Sequence, residues 1–217
     1  MRRLLRPLFL LSLLVSWAFG PVLQTESADS PIKLPAAIAL NVDEGIPSVQ
    51  LMINGQGPFV FGIDTGAQGG SRIDASLVEK LGLKSSGQVQ ATDGSGRSPQ
   101  TSEIFKLENV TIGNVQFSNV TAGSRNFKNS PRPLKVDGIL GLSVFSEYLV
   151  TLDFPAKVLR FDRGELPKSD GAEVLDYKGE GAIPLVELSV GSARINAHLD
   201  SGNMIGEFVF PTSFADK

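Results

Sequence analysis

Two stretches of this chain carry a carboxylate into a glycine turn. In the first, Phe59, Val60, Phe61, Gly62 and Ile63 read as a buried strand that runs into Asp64-Thr65-Gly66-Ala67. In the second, Ile195 to Leu199 run into Asp200-Ser201-Gly202-Asn203, with Ser in place of Thr. Strand propensity holds up to the Asp, and the Gly supplies the backbone freedom of a tight turn. An ionisable carboxylate at the end of an apolar strand is costly to hold unless the site uses it. One Asp-Thr-Gly alone is an ordinary turn sequence. Two carboxylates brought to hydrogen-bonding distance are another matter, because they cannot both ionise cheaply. Such a pair shares one proton and titrates in coupled steps. It offers a base to activate a water and an acid to protonate a carbonyl, in one site.

The elements that lead to the two turns repeat as well. Ile46-Pro47 leads into Val49, Leu51 and Ile53 at alternate positions, then a turn at Gly55 and the strand ending at Asp64. Ile183-Pro184 leads into Val186, Leu188 and Val190, then a turn at Gly191 and the strand ending at Asp200. Pro47 precedes its Asp by seventeen residues and Pro184 by sixteen. Alternation at period two marks each first strand as half buried, and the glycine turn makes each unit a hairpin. The chain therefore reads as a duplicated unit with a carboxylate at the same place in each copy.

At these residues the sequence resembles the aspartic peptidases, both the pepsin-like two-lobed enzymes and their retropepsin-like bacterial relatives. Asp64-Thr65-Gly66-Ala67 matches the catalytic turn, and Leu77 to Leu83 looks like the short helix and exit that often follow it. Thr92-Asp93-Gly94-Ser95-Gly96 sits where the family has its flap hairpin, and Asp137-Gly138-Ile139-Leu140-Gly141 matches the element packed behind the turn. Gln68-Gly69-Gly70 replaces the more usual small polar run, and the flap lacks the Tyr of pepsins. The resemblance covers residues 46 to 163. It implies a mostly β fold: an acid-protease-like β-barrel lobe with a flap hairpin, followed by the start of a second, duplicated lobe. It implies an aspartic-type endopeptidase with Asp64 and Asp200 as the catalytic pair. Thr65, Gly66, Ala67, Ser201 and Gly202 would support the two turns, while Ile139, Leu140 and Gly141 pack behind the first. A polypeptide substrate would lie extended under Asp93, Gly94, Ser95 and Gly96, paired as an added strand. No metal and no organic cofactor is needed.

The remaining composition narrows the function classes. Cys is absent, which removes disulfides, thiol nucleophiles, thiolate metal sites and lipid attachment at Cys. The one His, His198, lies two residues before Asp200 and reads as a polar residue at the rim of a strand. A Ser-His-Asp triad or a His-rich metal cluster would have to be built on it alone. A net charge of −3 without a basic stripe argues against nucleic acid as a partner. At the N-terminus, Arg2, Arg3 and Arg6 precede an apolar run from Leu8 to Phe19 and a small-x-small Ala18-Phe19-Gly20. That is the pattern of a signal peptide for export, periplasmic or secreted, and N-terminal sequencing checks it. An uncleaved membrane anchor is the alternative, although the run is short of the about 20 residues a span needs.

The chain thus divides into a signal peptide and tail over 1–28, with cleavage near 20–28, and a first lobe over 37–163. A connection over 164–180 and the beginning of a second lobe over 181–217 follow. Seventy-five residues separate Asp64 from Ile139, but seventeen follow Asp200. The expectation from that spacing is a second lobe that does not close, and a 217-residue form that alone is inactive or aggregation-prone. Two other functions fit the residues: a single-lobe peptidase working as a homodimer through two copies of Asp64, and a peptide-binding module that cuts nothing.

Overall fold

The computed structural model describes residues 33–43, 45–67, 70–91, 100–128, 133–179, 183–204, 206 and 208–210. The expected signal peptide, the flap tip Asp93–Gly96 and Phe214 lie outside the described residues. In chain order the strands are β1 (Ala36–Ala39), β2 (Ser48–Ile53), β3 (Gln56–Asp64) and β4 (Ser71–Asp74), followed by helix α1 (Ala75–Lys80). Next come β5 (Ser85–Ala91), β6 (Gln100–Ile112), β7 (Val115–Arg125) and β8 (Gly138–Gly141). A 3-10 turn, Leu142–Phe145, leads to β9 (Leu149–Asp153) and β10 (Val158–Asp162). The last three are β11 (Tyr177–Lys178), β12 (Leu185–Val190) and β13 (Ala193–His198). The fold is mostly β, as the alternating apolar positions and frequent turns require. Among the described residues no helix is long and apolar enough to cross a membrane.

The main sheet runs β2-β3-β8-β4-β7-β6-β5, and β2 also pairs with β6, so six strands close into a barrel. The β2–β3 hairpin turns at Asn54-Gly55, with φ of 50° and 76°. Both central residues are left-handed, and Asn-Gly is the pair that tolerates this in a two-residue hairpin. Val49, Leu51 and Ile53 point into the core, each no more than 2% exposed. Phe105 and Val110 lie on one long strand, β6. Along it the apolar side switches from Phe105 and Leu107 to Val110 and Ile112. On β7 it switches from Val115 and Phe117 to Val120 and Ala122, beside Asn119 at φ 58°. The hairpin bends there, and both of its halves feed the core.

Phe117, Phe145, Tyr148 and Phe161 form an aromatic cluster in that core, with ring centroids 5.2 to 5.7 Å apart. Edge-on pairs of this kind add about 0.5–1.5 kcal/mol each beyond the area they bury. Two polar stretches differ from the sequence reading. Residues 124–135 read as a surface loop, yet β7 extends to Arg125 and Phe127 is buried against Ile46, Val136 and Ile139. The connection at 164–180 ends in β11, which pairs with β12 through Tyr177 and Val186. Asp170 orders an earlier part of it, accepting from the amides of Ala172, Glu173 and Val174.

The second hairpin, β12–β13, also has a two-residue turn, but there only Gly191, φ 60°, is left-handed. Its alternating apolar side is less covered: Val186 is buried, Leu188 half-buried and Val190 exposed. Phe208 and Phe210 stack on each other and are exposed.

Candidate active site

The site forms where the ends of β3 and β13 meet. Thr65 Oγ1 donates to the carbonyl of Leu199 at 2.6 Å, and Ser201 Oγ donates to the carbonyl of Ile63 at 2.7 Å. In return the amide of Ser201 donates to Thr65 Oγ1 at 2.9 Å, and the amide of Thr65 to Ser201 Oγ at 3.0 Å. Each hydroxyl therefore donates across to the residue before the opposite Asp and accepts from the residue after it. The arrangement is two-fold in pattern although the chain is single. Ser performs in the second copy what Thr performs in the first, because only the hydroxyl is used.

Within each turn the carboxylate is held by its own glycine. Gly66 N donates to Asp64 Oδ1 at 2.9 Å, and Gly202 N to Asp200 Oδ1 at 2.8 Å. The glycines are required for closeness. A Cβ on Gly202 would stand 2.6 Å from Asp64 Oδ1, and one on Gly66 would collide with the carboxyl of Asp200. The two carboxyls are thus brought together, each lying over the glycine of the other turn. Burial, then the nearby charge of Asp200 and a hydrogen bond to it, push Asp64 up to about 6. The amides of Gly66 and Ala67 oppose that rise, since they favour the ionised form.

Strand β8 lies directly behind the first turn, pairing parallel with β3 so that Asp64 faces Gly141 and Gly62 faces Ile139. The approach excludes side chains at two positions. A Cβ on Gly141 would stand 2.7 Å from the carbonyl oxygen of Gly70 and 2.9 Å from that of Ala67; one on Gly138 would meet the carbonyl of Arg72 at 2.5 Å. Ile139 and Leu140 are both buried, on opposite faces of β8. Asp137 fixes the start of the strand: its carboxylate accepts from Val60 N at 3.0 Å and from Lys128 Nζ at 2.9 Å.

One supporting residue escaped the sequence reading. Asp74, 1% exposed, caps α1 by accepting from Ser76 N at 3.0 Å, and its other oxygen accepts from Phe127 N at 2.9 Å. These donors hold its carboxyl below the usual range, against the effect of burial. The Asp-x-Ser start of a helical run is the signal that marks it as a cap. Nothing local announces its bond to Phe127. His198 sits exposed beside the turn, as expected of a rim residue.

Residues 49–144 match the family model described as Aspartyl protease. Over this stretch the chain is similar to the aspartyl proteases. Among solved structures, the chain is similar to a retropepsin-like aspartic protease from Rickettsia conorii, with 20% identity and a TM-score of 0.39. That match covers 58% of this chain and 87% of the other. No curated protein matches the chain. The matched stretch runs from β2 to the 3-10 turn after β8, so it contains Asp64 and the strand behind it. Asp200 lies beyond it and reaches that stretch through the Thr65–Ser201 bonds.

Proposed function

We propose that this protein is an aspartic-type endopeptidase in which Asp64 and Asp200 of one chain act as the acid–base pair. The observation that carries the reading is the reciprocal Thr65–Ser201 bonding, which holds two carboxyls face to face. With one proton between them, one carboxylate takes a proton from a bound water while the other gives its proton to the substrate carbonyl. The hydroxide adds to the carbonyl carbon and a tetrahedral diol forms. When the C–N bond breaks, the leaving nitrogen takes the pair's proton and a diol hydroxyl gives its own to the other carboxylate, so a carboxylic acid and an amine leave and the pair again holds one proton. Burial and the neighbouring Asp200 charge raise the Asp64 carboxyl to about 6, which favours a single proton held by the pair at acidic pH.

The same geometry favours the single-chain pair over a homodimer built on two copies of Asp64, because Asp200 already occupies the partner position. It favours catalysis over peptide binding alone, because the second turn keeps the carboxyl, the hydroxyl and the glycine. The test is cleavage of an unstructured polypeptide by the protein expressed from its full reading frame. Asp64→Asn and Asp200→Asn are each expected to lower the rate by about 10²–10⁴-fold or more. The pair is active while it holds one proton, so the rate should fall as pH rises through about 6. Turnover at the parent rate in Asp64→Asn would sink the assignment. Parent activity in Asp200→Asn, confined to a dimeric species, would favour the homodimer.

A further inference from the structure

The register of the barrel sheet puts Gly62, Ile139, Arg72, Gly123 and Ile104 in one row across β3, β8, β4, β7 and β6. Asp64 follows Gly62 by two residues and so projects from the same face. Arg72 stands two strands from Asp64, and the strand between them shows Gly141 beside Asp64. Two strand spacings and two residues of rise put their Cα atoms about 12 Å apart.

The side chain of Arg72 is half-buried on this face. Its stem runs over Gly123, where a Cβ would stand 3.3 Å from Cδ and 3.6 Å from Nε. The surroundings on the side of Gly62 are apolar, formed by Ile46, Phe127, Val136 and Ile139. Arg125 comes off the same face two residues after Gly123, stacked on the Phe127 ring at 5.7 Å. Burial and the charge of Arg125 pull Arg72 down from its ordinary value, and the charge of Asp64 acts the other way. A planar cation, whose Nη1 donates to the Ser71 carbonyl at 3.0 Å, stands on the face of the sheet that carries Asp64.

We infer that Arg72 determines specificity: the cleft selects a polypeptide with a Glu or Asp side chain near the bond that is cut. A guanidinium at such a place forms charge-assisted hydrogen bonds with a carboxylate, gives less to an amide and repels an ammonium. The inference rests on the peptidase reading for what happens to the peptide, but binding tests it separately. Fluorescein-labelled decapeptides with Glu fixed at one position, and the same peptides with Gln, are titrated by anisotropy against the Asp64→Asn protein expressed from its full reading frame.

The best Glu peptide should bind at least about tenfold tighter than its Gln counterpart at low salt. The advantage should shrink as ionic strength rises. Adding Arg72→Gln should bring the ratio to about one, whereas Arg72→Lys, which keeps the charge, should retain part of it. Neutralising the exposed Lys168 instead should leave the ratio in place, which separates a local contact from net charge. Equal binding of Glu and Gln peptides, binding of neither, or a ratio that survives Arg72→Gln overturns the inference. A ratio that depends on Arg72 in a protein that cuts no peptide with Asp64 intact would leave the specificity standing and remove the peptidase reading. Cleavage with no preference for acidic peptides would do the reverse.

Discussion

Thr65 and Ser201 hold the site by four hydrogen bonds and carry no reacting atom. Replacing Thr65 by Val keeps its shape and deletes the hydroxyl, which leaves the Ser201 amide and the Leu199 carbonyl without that partner. An unmade bond of this kind costs about 1–3 kcal/mol where the group is shielded from water. Thr65→Val is therefore expected to lower the unfolding midpoint in denaturant and to loosen the two turns, while Thr65→Ser should behave like the parent. The second copy already uses Ser in this role. Equal midpoints for Val and Ser variants would mean that the bonds are not what joins the turns. These residues were legible in the sequence, because a hydroxyl between Asp and Gly recurs in both copies. Arg72 was not, since a charged residue two strands away shows its nearness to Asp64 only once the register of β3, β8 and β4 is known.

At the scale of elements, β8 decides where Asp64 sits. Gly141 faces Asp64 in the ladder, and its missing side chain is the space that the carbonyls of Gly70 and Ala67 fill. Gly141→Ala pushes a methyl into backbone rather than into a flexible side chain, an overpacking that costs about 1–3 kcal/mol. We expect a folded but less stable protein whose Asp64 turn is displaced, read as a larger loss of peptide cleavage than of midpoint stability. Full activity with a normal midpoint would show that β8 does not set the turn. The hairpins β2–β3 and β12–β13 could be read in advance because alternation, turn chemistry and the following Asp lie within about twenty residues. The core role of Phe127 could not, because it depends on Asp74, a residue 53 positions away. A polar stretch with one aromatic looks like a loop until its anchor is found.

At the scale of the molecule, closure of the barrel through β2 and β6 makes the first copy a floor, and the second copy brings one carboxylate to it. Among the described residues the turn-to-turn bonds join Asp200 to the floor, so the account stands or falls on whether the two carboxyls form one acid–base pair in a single chain. The barrel and the two turns followed from local patterns; their meeting required both copies to fold in one molecule. The most direct measurement is the titration of Asp64 by carboxyl-carbon NMR, in protein shown by sedimentation to be monomeric, with and without Asp200→Asn. Asp64 is expected to titrate at about 6 in the parent. Removing the Asp200 charge should lower that value, leaving it above the ordinary carboxylate range because burial is the larger cause. An Asp64 that titrates as an ordinary carboxylate, or one whose titration ignores Asp200→Asn, would contradict the pair.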